Sequence, residues 1–172
     1  MVIWLVGLSG AGKTTLGREM VRQWRQGASN VVLLDGDEVR QLFAHHSGHD
    51  PYTVEGRRIN AERLVALCEM LDRQGIHVVC CVLSIFGDMR RANRNRFSRY
   101  FEIFLDASLE AVTRRDVKGL YAAAKRGEQR NVVGVDIPFE RPTTSDLVID
   151  SSSGSADVPA LAAQALHAAG AR

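Results

Sequence analysis

Gly7-Leu8-Ser9-Gly10-Ala11-Gly12-Lys13-Thr14-Thr15 satisfies G-x-x-x-x-G-K-[ST] at every position and follows directly on the apolar run Val2 to Val6. Glycines let such a loop turn tightly, so that backbone N–H groups point at phosphate oxygens, and the helix that follows adds its positive end. Gly7, Ser9, Gly10, Ala11, Gly12, Lys13, Thr14 and Thr15 are therefore the expected contacts of a nucleoside triphosphate. Lys13 is expected to reach the β- and γ-phosphates, and the Thr14 hydroxyl to hold Mg²⁺. A second apolar run, Val31 to Leu34, ends in Asp35-Gly36-Asp37. Two carboxylates thus stand at a strand's C-terminal edge, where open α/β sheets build their sites.

Two further clusters have a plainer reading. Arg90, Arg91, Arg94, Arg96 and Arg99 make 88–99 strongly basic, which reads as a solvated helix face. His45, His46 and His49 lie beside Asp50. Imidazole suits zinc or nickel, but the cluster lacks a rigid frame, so a flexible polar loop is the expectation.

The elements that position these groups follow from periodicity. Leu16, Met20, Val21 and Trp24 recur at helical spacing to about Gln26, and Gly27 stops that helix. A short helix is predicted over Glu38 to Phe43, a loop over 44–53, and a longer helix from Val54 to Gly75. His77 to Leu83 is apolar on both faces, like a central parallel strand. Phe101 to Leu105 reads as a fourth strand, Ser108 as the cap of a helix to about Arg115, and Leu147 to Ile149 as a short fifth strand. A polar linker over 151–155 then leads to an alanine-rich helix from about Asp157. Between them, 116–142 is punctuated by Gly119, Gly127, Gly134, Pro138 and Pro142, with a helical piece from Leu120 to Arg126. Such a segment beside a phosphate site is a candidate lid. Alternating strands and helices predict an α/β fold of the P-loop nucleoside triphosphate hydrolase type. Its parallel sheet has about five strands, with helices on both faces and a lid over about 116–142. At 172 residues, a single kinase-sized domain over 1–172 is expected.

Lys plus Arg number 22 and Asp plus Glu 20, a net charge of +2, which argues against a general nucleic-acid binder. Cys68, Cys80 and Cys81 have no metal-ligand spacing, and buried, reduced thiols suit a reducing compartment. No run approaches the roughly 20 apolar residues of a membrane span. A cytoplasmic protein without a membrane partner is expected.

Triphosphate binding serves switches, motors and small-molecule kinases. The N-K-x-D of a GTPase is absent from the sequence, and a motor usually needs a longer chain. A kinase needs a carboxylate near the acceptor hydroxyl, cations for the transferring phosphoryl group and a lid that excludes water. Asp35 and Asp37, the arginines and 116–142 supply all three. A non-catalytic ATP-binding regulator is the alternative of another class, and retention of Lys13, Thr14 and Asp37 argues against it.

Five segments carry a resemblance over nearly the whole chain. They are the 7–15 loop, Asp35-Gly36-Asp37-Glu38-Val39-Arg40, the Arg57, Asn60 and Arg63 spacing, Arg115-Asp116-Val117-Lys118-Gly119-Leu120-Tyr121, and Gly134-Val135-Asp136-Ile137-Pro138-Phe139-Glu140. Together they resemble the adenylylsulfate kinases, which phosphorylate the 3′-hydroxyl of adenosine 5′-phosphosulfate with ATP as co-substrate and Mg²⁺ as cofactor. The resemblance implies Asp37 as catalytic base, with Asp35 beside it and Lys13 on the transferring phosphate, and places Arg115 at the donor adenine. It implies an acceptor site of Arg40, Tyr52, Arg57, Asn60, Ser84, Lys118, Gly119, Leu120 and Tyr121, and a homodimer. Guanidinium groups suit the acceptor's tetrahedral anions, and Tyr52 would stack on its base.

The sequence departs from that pattern in places. Gly56-Arg57 replaces Asp-Arg, Ser84-Ile85-Phe86 replaces Ser-Pro-Tyr, and Val132-Val133 replaces Phe-Thr before Gly134. Val132 cannot form the second face of a base sandwich. The Tyr-Thr-x-Glu-Gly-Arg-Arg stretch also resembles a sister group that phosphorylates cytidine diphosphoramidate in capsule-sugar modification. Both acceptors present a ribose 3′-hydroxyl beside a doubly anionic tail, so the base pocket must choose.

Overall fold

Strand β1 (Val2–Val6) has every residue buried and lies at the centre of a five-stranded parallel sheet of order β2-β3-β1-β4-β5. The computed structural model describes residues 1–43, 50–116, 119–153 and 157–171. β2 is Val31–Asp35, β3 His77–Val82, β4 Tyr100–Asp106 and β5 Leu147–Asp150. Because successive side chains of a strand point to opposite faces, β1 divides its apolar residues between two cores. Ile3 and Leu5 join Val79, Cys81, Ile103 and Leu105 under α1 (Lys13–Trp24) and α7 (Val158–Ala168). Val2, Trp4 and Val6 join Val78, Cys80 and Val82 under α3 (Val54–Arg73). This two-sided cover is why the central strands are apolar throughout. None of the described helices is long and apolar enough to cross a membrane.

The remaining helices are α2 (Gly36–Leu42), α4 (Gly87–Arg96), α5 (Leu109–Arg115) and α6 (Leu120–Lys125). Ser108 caps α5 by accepting from the Ala111 N–H, as expected, and α7 starts where expected, with Asp157 as its cap through the Ala160 N–H. Three details differ. α1 ends at Trp24 rather than Gln26, with Gly27 donating back to the Trp24 carbonyl in a tighter turn. α2 begins two residues earlier than Glu38, because the Asp35 carboxylate accepts from the Asp37 N–H and starts the helix there. Asp35 is therefore the N-cap. α3 ends at Arg73 rather than Gly75.

The basic segment is a helix, as expected, but not a solvated one along its whole length. Arg90 donates to the Ser84 carbonyl at 3.1 Å and lies 3.6 Å from Glu102, a β4 carboxylate that is 2% exposed. Tyr100 and Ser145 donate to the two oxygens of the same carboxylate. Arg94 grips Asp146 and the Thr144 carbonyl. A buried carboxylate must be paired and hydrogen-bonded, so Glu102 draws α4 onto the sheet. The His45, His46 and His49 cluster lies outside the described residues; among those described, no group of His, Cys, Asp and Glu is arranged to hold a metal ion.

Candidate active site

The loop at the end of β1 turns through Gly10 and Gly12 at φ 79° and 96°, in the left-handed region where glycine is favoured. Gly7 is needed for a different reason: a Cβ there would meet the Leu105 carbonyl oxygen at 2.7 Å. Gly12 then caps α1, so Lys13, Thr14 and Thr15 form the first turn of that helix. The Lys13 ammonium donates to the Gly7 and Leu8 carbonyls at 2.9 and 2.8 Å and is thereby held across the loop. Beneath it, the Cys81 thiol donates to the Lys13 carbonyl at 3.2 Å. Burial, reinforced by the Asp35 charge, pushes that thiol up to about 12 and keeps it protonated.

Thr14 donates through Oγ1 to Asp35 Oδ2 at 2.6 Å. This bond joins the phosphate loop to the end of β2. Asp37 stands in the first turn of α2, its Oδ1 accepting from Arg40 Nη1 at 2.6 Å. Arg40 is largely buried while the Asp37 carboxylate is about half exposed. Asn60, on α3, is buried and donates to the Gly36 carbonyl at 3.1 Å, fixing the turn that carries Asp37.

Tyr52 carries two guanidinium groups near its ring, with Arg40 Cζ 5.2 Å and Arg57 Cζ 5.9 Å from the centroid. Such contacts orient cations as well as hold them. Arg57 donates from Nε to the Tyr52 carbonyl at 2.9 Å and from Nη2 to the Asn131 carbonyl at 2.7 Å. Burial and the neighbouring Arg40 charge lower its pKa from the usual arginine value. Two cations so close repel each other, and an anion between them would relieve that repulsion. Ser84, also buried, presents its carbonyl to Arg90 rather than to the site.

The end of α5 and segment 116–142 each reach the loop. Arg115 donates to the Gly10 carbonyl at 3.4 Å and to the Ser151 and Ser152 carbonyls, bridging the loop to the chain after β5. Tyr121, expected to close over an acceptor, is instead 2% exposed, with its hydroxyl donating to the Ser9 carbonyl at 3.0 Å. It braces the phosphate loop. Gly119 caps α6 at φ 64°, Leu120 is half-buried against the α1 core, and Lys118 lies outside the described residues. Val132 is buried in the core on the α1 side of the sheet and offers no face to Tyr52.

The structure thus joins Lys13, Thr14, Asp35, Asp37, Arg40, Tyr52, Arg57 and Asn60 along the C-terminal edge of β1 and β2. Sequence reasoning missed Asn131 and the packing of Gly56. The first is marked only by an Asn between Gly127 and Gly134, and the second by a glycine inside a helix.

Comparisons with known proteins fit this geometry. Residues 1–150 match the family model described as adenylylsulphate kinase. A cytidine diphosphoramidate kinase of Campylobacter jejuni is 37% identical over 151 residues, covering 88% of this chain and 86% of that protein. An adenylyl-sulfate kinase of Halothermothrix orenii is 38% identical over 147 residues, covering 86% and 78%. Among solved structures, the Mycobacterium tuberculosis APS kinase in complex with AMPPNP and APS superimposes with a TM-score of 0.84 at 29% identity, covering 97% of this chain and 95% of that one.

Proposed function

Because the chain belongs to the adenylylsulphate kinase family, we propose that it transfers the γ-phosphoryl group of ATP to the 3′-hydroxyl of a nucleotide, with adenosine 5′-phosphosulfate as the acceptor. The chain is an ATP-dependent phosphotransferase that acts on nucleotides. The observation that carries the reading of the site is Asp37, held by Arg40 at the start of α2 while Asp35 beneath it is tied to Thr14 of the phosphate loop. A carboxylate there is suited to orient an acceptor hydroxyl and take its proton. Lys13 would neutralise charge on the transferring group, and Arg40 and Arg57 would hold the acceptor's anionic tail. Tyr121 and Arg115 fix the loop and so hold the donor side in place.

The Thr14 hydroxyl and Asp35 carboxylate, hard oxygens 2.6 Å apart, suit Mg²⁺ with its retained waters. When bound, the ion neutralises charge on the β- and γ-phosphates. Part of the same proposal are a single kinase domain with 116–142 as its lid, a cytoplasmic location and a homodimer, which a monomer mass by light scattering would refute.

One observation favours a second acceptor. Val132 is buried and carries no ring, so that position gives Tyr52 no opposing stacking face, and a site with one stacking face selects adenine less strongly. Cytidine diphosphoramidate, the substrate in the name of the Campylobacter jejuni relative, is that second reading. Equal concentrations of the two nucleotides in an ATP-consumption assay decide between them. Asp37→Ala should lower kcat by about 10²-fold or more and leave ATP affinity within about twofold, as expected of a group that acts on the acceptor. Equal losses in both would remove Asp37 from its role. ATP binding with no transfer to either nucleotide would refute the kinase reading in favour of a regulator.

A further inference from the structure

Asn131 is the one non-glycine residue in the left-handed region among the described residues, at φ 62°. Asparagine tolerates this region better than other side chains, yet the conformation still needs a cause. The cause is Asp136. Its carboxylate accepts from the Asn131 N–H at 2.6 Å and from the Val132 N–H, closing the turn over 131–136. Burial works against the charge, but those N–H bonds hold the Asp136 carboxyl below its usual range. Gly134 N–H donates to the Ile137 carbonyl and completes the turn.

The product of this turn is the direction of one carbonyl. Asn131 C=O meets Arg57 Nη2 at 2.7 Å, across 74 residues of sequence. Arg57 Nε is held on the other side by the Tyr52 carbonyl. Two of its three nitrogens are thus pinned by backbone oxygens from two segments, which leaves Nη1 with a fixed direction. The Asn131 amide also reaches Asp50 Oδ2 at 3.4 Å, and Asp50 Oδ1 accepts from the Tyr52 N–H at 2.9 Å.

We infer that Asn131 and Asp136 are positioning residues for the acceptor: their turn aims Arg57 at the acceptor's anionic tail. The inference rests on the reading of Arg57 as an acceptor ligand. A guanidinium fixed in advance binds a tetrahedral anion without first being ordered, and misdirection by about 1 Å is costly. ATP makes no demand on this turn, because its ligands lie in the 7–15 loop.

The test is a kinetic comparison of Asp136→Asn, Asn131→Val and Asn131→Gly with both nucleotides. Asp136→Asn keeps one acceptor oxygen and turns its NH2 against the other N–H group, and valine disfavours positive φ; each should raise the acceptor KM by about tenfold or more while the ATP KM stays within about twofold. Asn131→Gly, the conservative change, keeps the carbonyl direction and should lose no more than about threefold. A glycine variant as impaired as the valine variant overturns the inference, since the side chain would then be the active part. Parallel changes in both KM values, or none, overturn it as well. If the wild-type chain phosphorylates neither nucleotide, the proposed reaction fails, and hydrogen exchange reads the positioning contact without substrate. Arg57→Gln should then speed exchange of the 131–136 amides, and unchanged exchange refutes the contact.

Discussion

Gly56 sets two opposed effects against each other, and their magnitudes predict the sign of a single substitution. The residue sits in the first turn of α3, buried, at a backbone conformation any residue can adopt. Helix propensity alone makes Gly56→Ala favourable by about 0.8–1 kcal/mol. A Cβ at that position, however, would stand 2.2 Å from the Asp50 carbonyl oxygen, 2.8 Å from Pro51 Cα and 3.0 Å from Pro51 C. All three are backbone atoms, so no side-chain rotation relieves the contact, and the carbonyl must retreat by about 1.2 Å to reach an ordinary 3.4 Å separation. Overpacking of this kind costs about 1–3 kcal/mol. The retreat also breaks the bond from Thr53 Oγ1 to the Asp50 carbonyl, 2.9 Å in length, worth about 0.5–1.5 kcal/mol. Net destabilisation of about 1–3 kcal/mol follows, or a fall in Tm of about 2–12 °C. Because the displaced segment carries Tyr52, the acceptor KM should rise as well. Thermal unfolding and steady-state kinetics measure the two effects. A higher Tm with an unchanged acceptor KM would refute the reasoning, since propensity alone would then govern the site.

Two more outcomes follow from buried groups. Tyr121→Phe removes the hydroxyl from the Ser9 carbonyl and should cost about 1 kcal/mol with up to about a fivefold rise in ATP KM; a variant unchanged in both Tm and ATP KM would show that the bond does not brace the loop. Cys81 governs an alkaline limit. Its thiol ionises near 8.5 in the unfolded chain and near 12 in the fold, so the stability it confers is full below about pH 8.5 and declines as pH rises toward 12. By pH 10 the loss should be about 1–2 kcal/mol. Chemical denaturation at pH 7.5 and pH 10 measures it. Burial pushes the Cys80 thiol up as well and adds its own alkaline loss, so Cys81→Ala should remove only the Cys81 share; an undiminished loss in that variant would assign the effect elsewhere.

The fold was readable because its signals are local. An apolar run of five residues between a chain start and a glycine loop has few alternatives, and β1, β2 and β4 fall within a residue or two of expectation. The loop, Asp35 and Asp37 were readable because their spacing is dictated by phosphate geometry. What escaped notice depends on distant partners. Arg90 looks like any surface arginine until Glu102, on a separate strand, is seen buried beside it. Tyr121 could face the acceptor or the loop with the same sequence around it, and only the path of 116–142 decides that it meets Ser9. Gly56 reads as a weak point in a helix until the Asp50-Pro51 backbone is found against it. Asp35 was legible as a site residue, but its capping of α2 became clear only with the backbone in place.

The registers of the parallel strands give the site a terrace. Asp35 is level with Cys81, and Cys81 is level with Leu5, so β2 stops two residues short of Gly7. At about 3.3 Å per residue the tread lies some 6–7 Å below the phosphate loop. Asp37, Arg40 and the start of α3 are built on that tread, and the Thr14–Asp35 bond is its riser. In the proposed reaction an acceptor seated there would rise toward the loop from beneath, while the donor half would rest on β1 and its neighbours. Changes at 50–56 or 131–136 refit the tread and leave the riser as it is. One phosphoryl-transfer frame can therefore exchange one acceptor base for another with no alteration to its central strand.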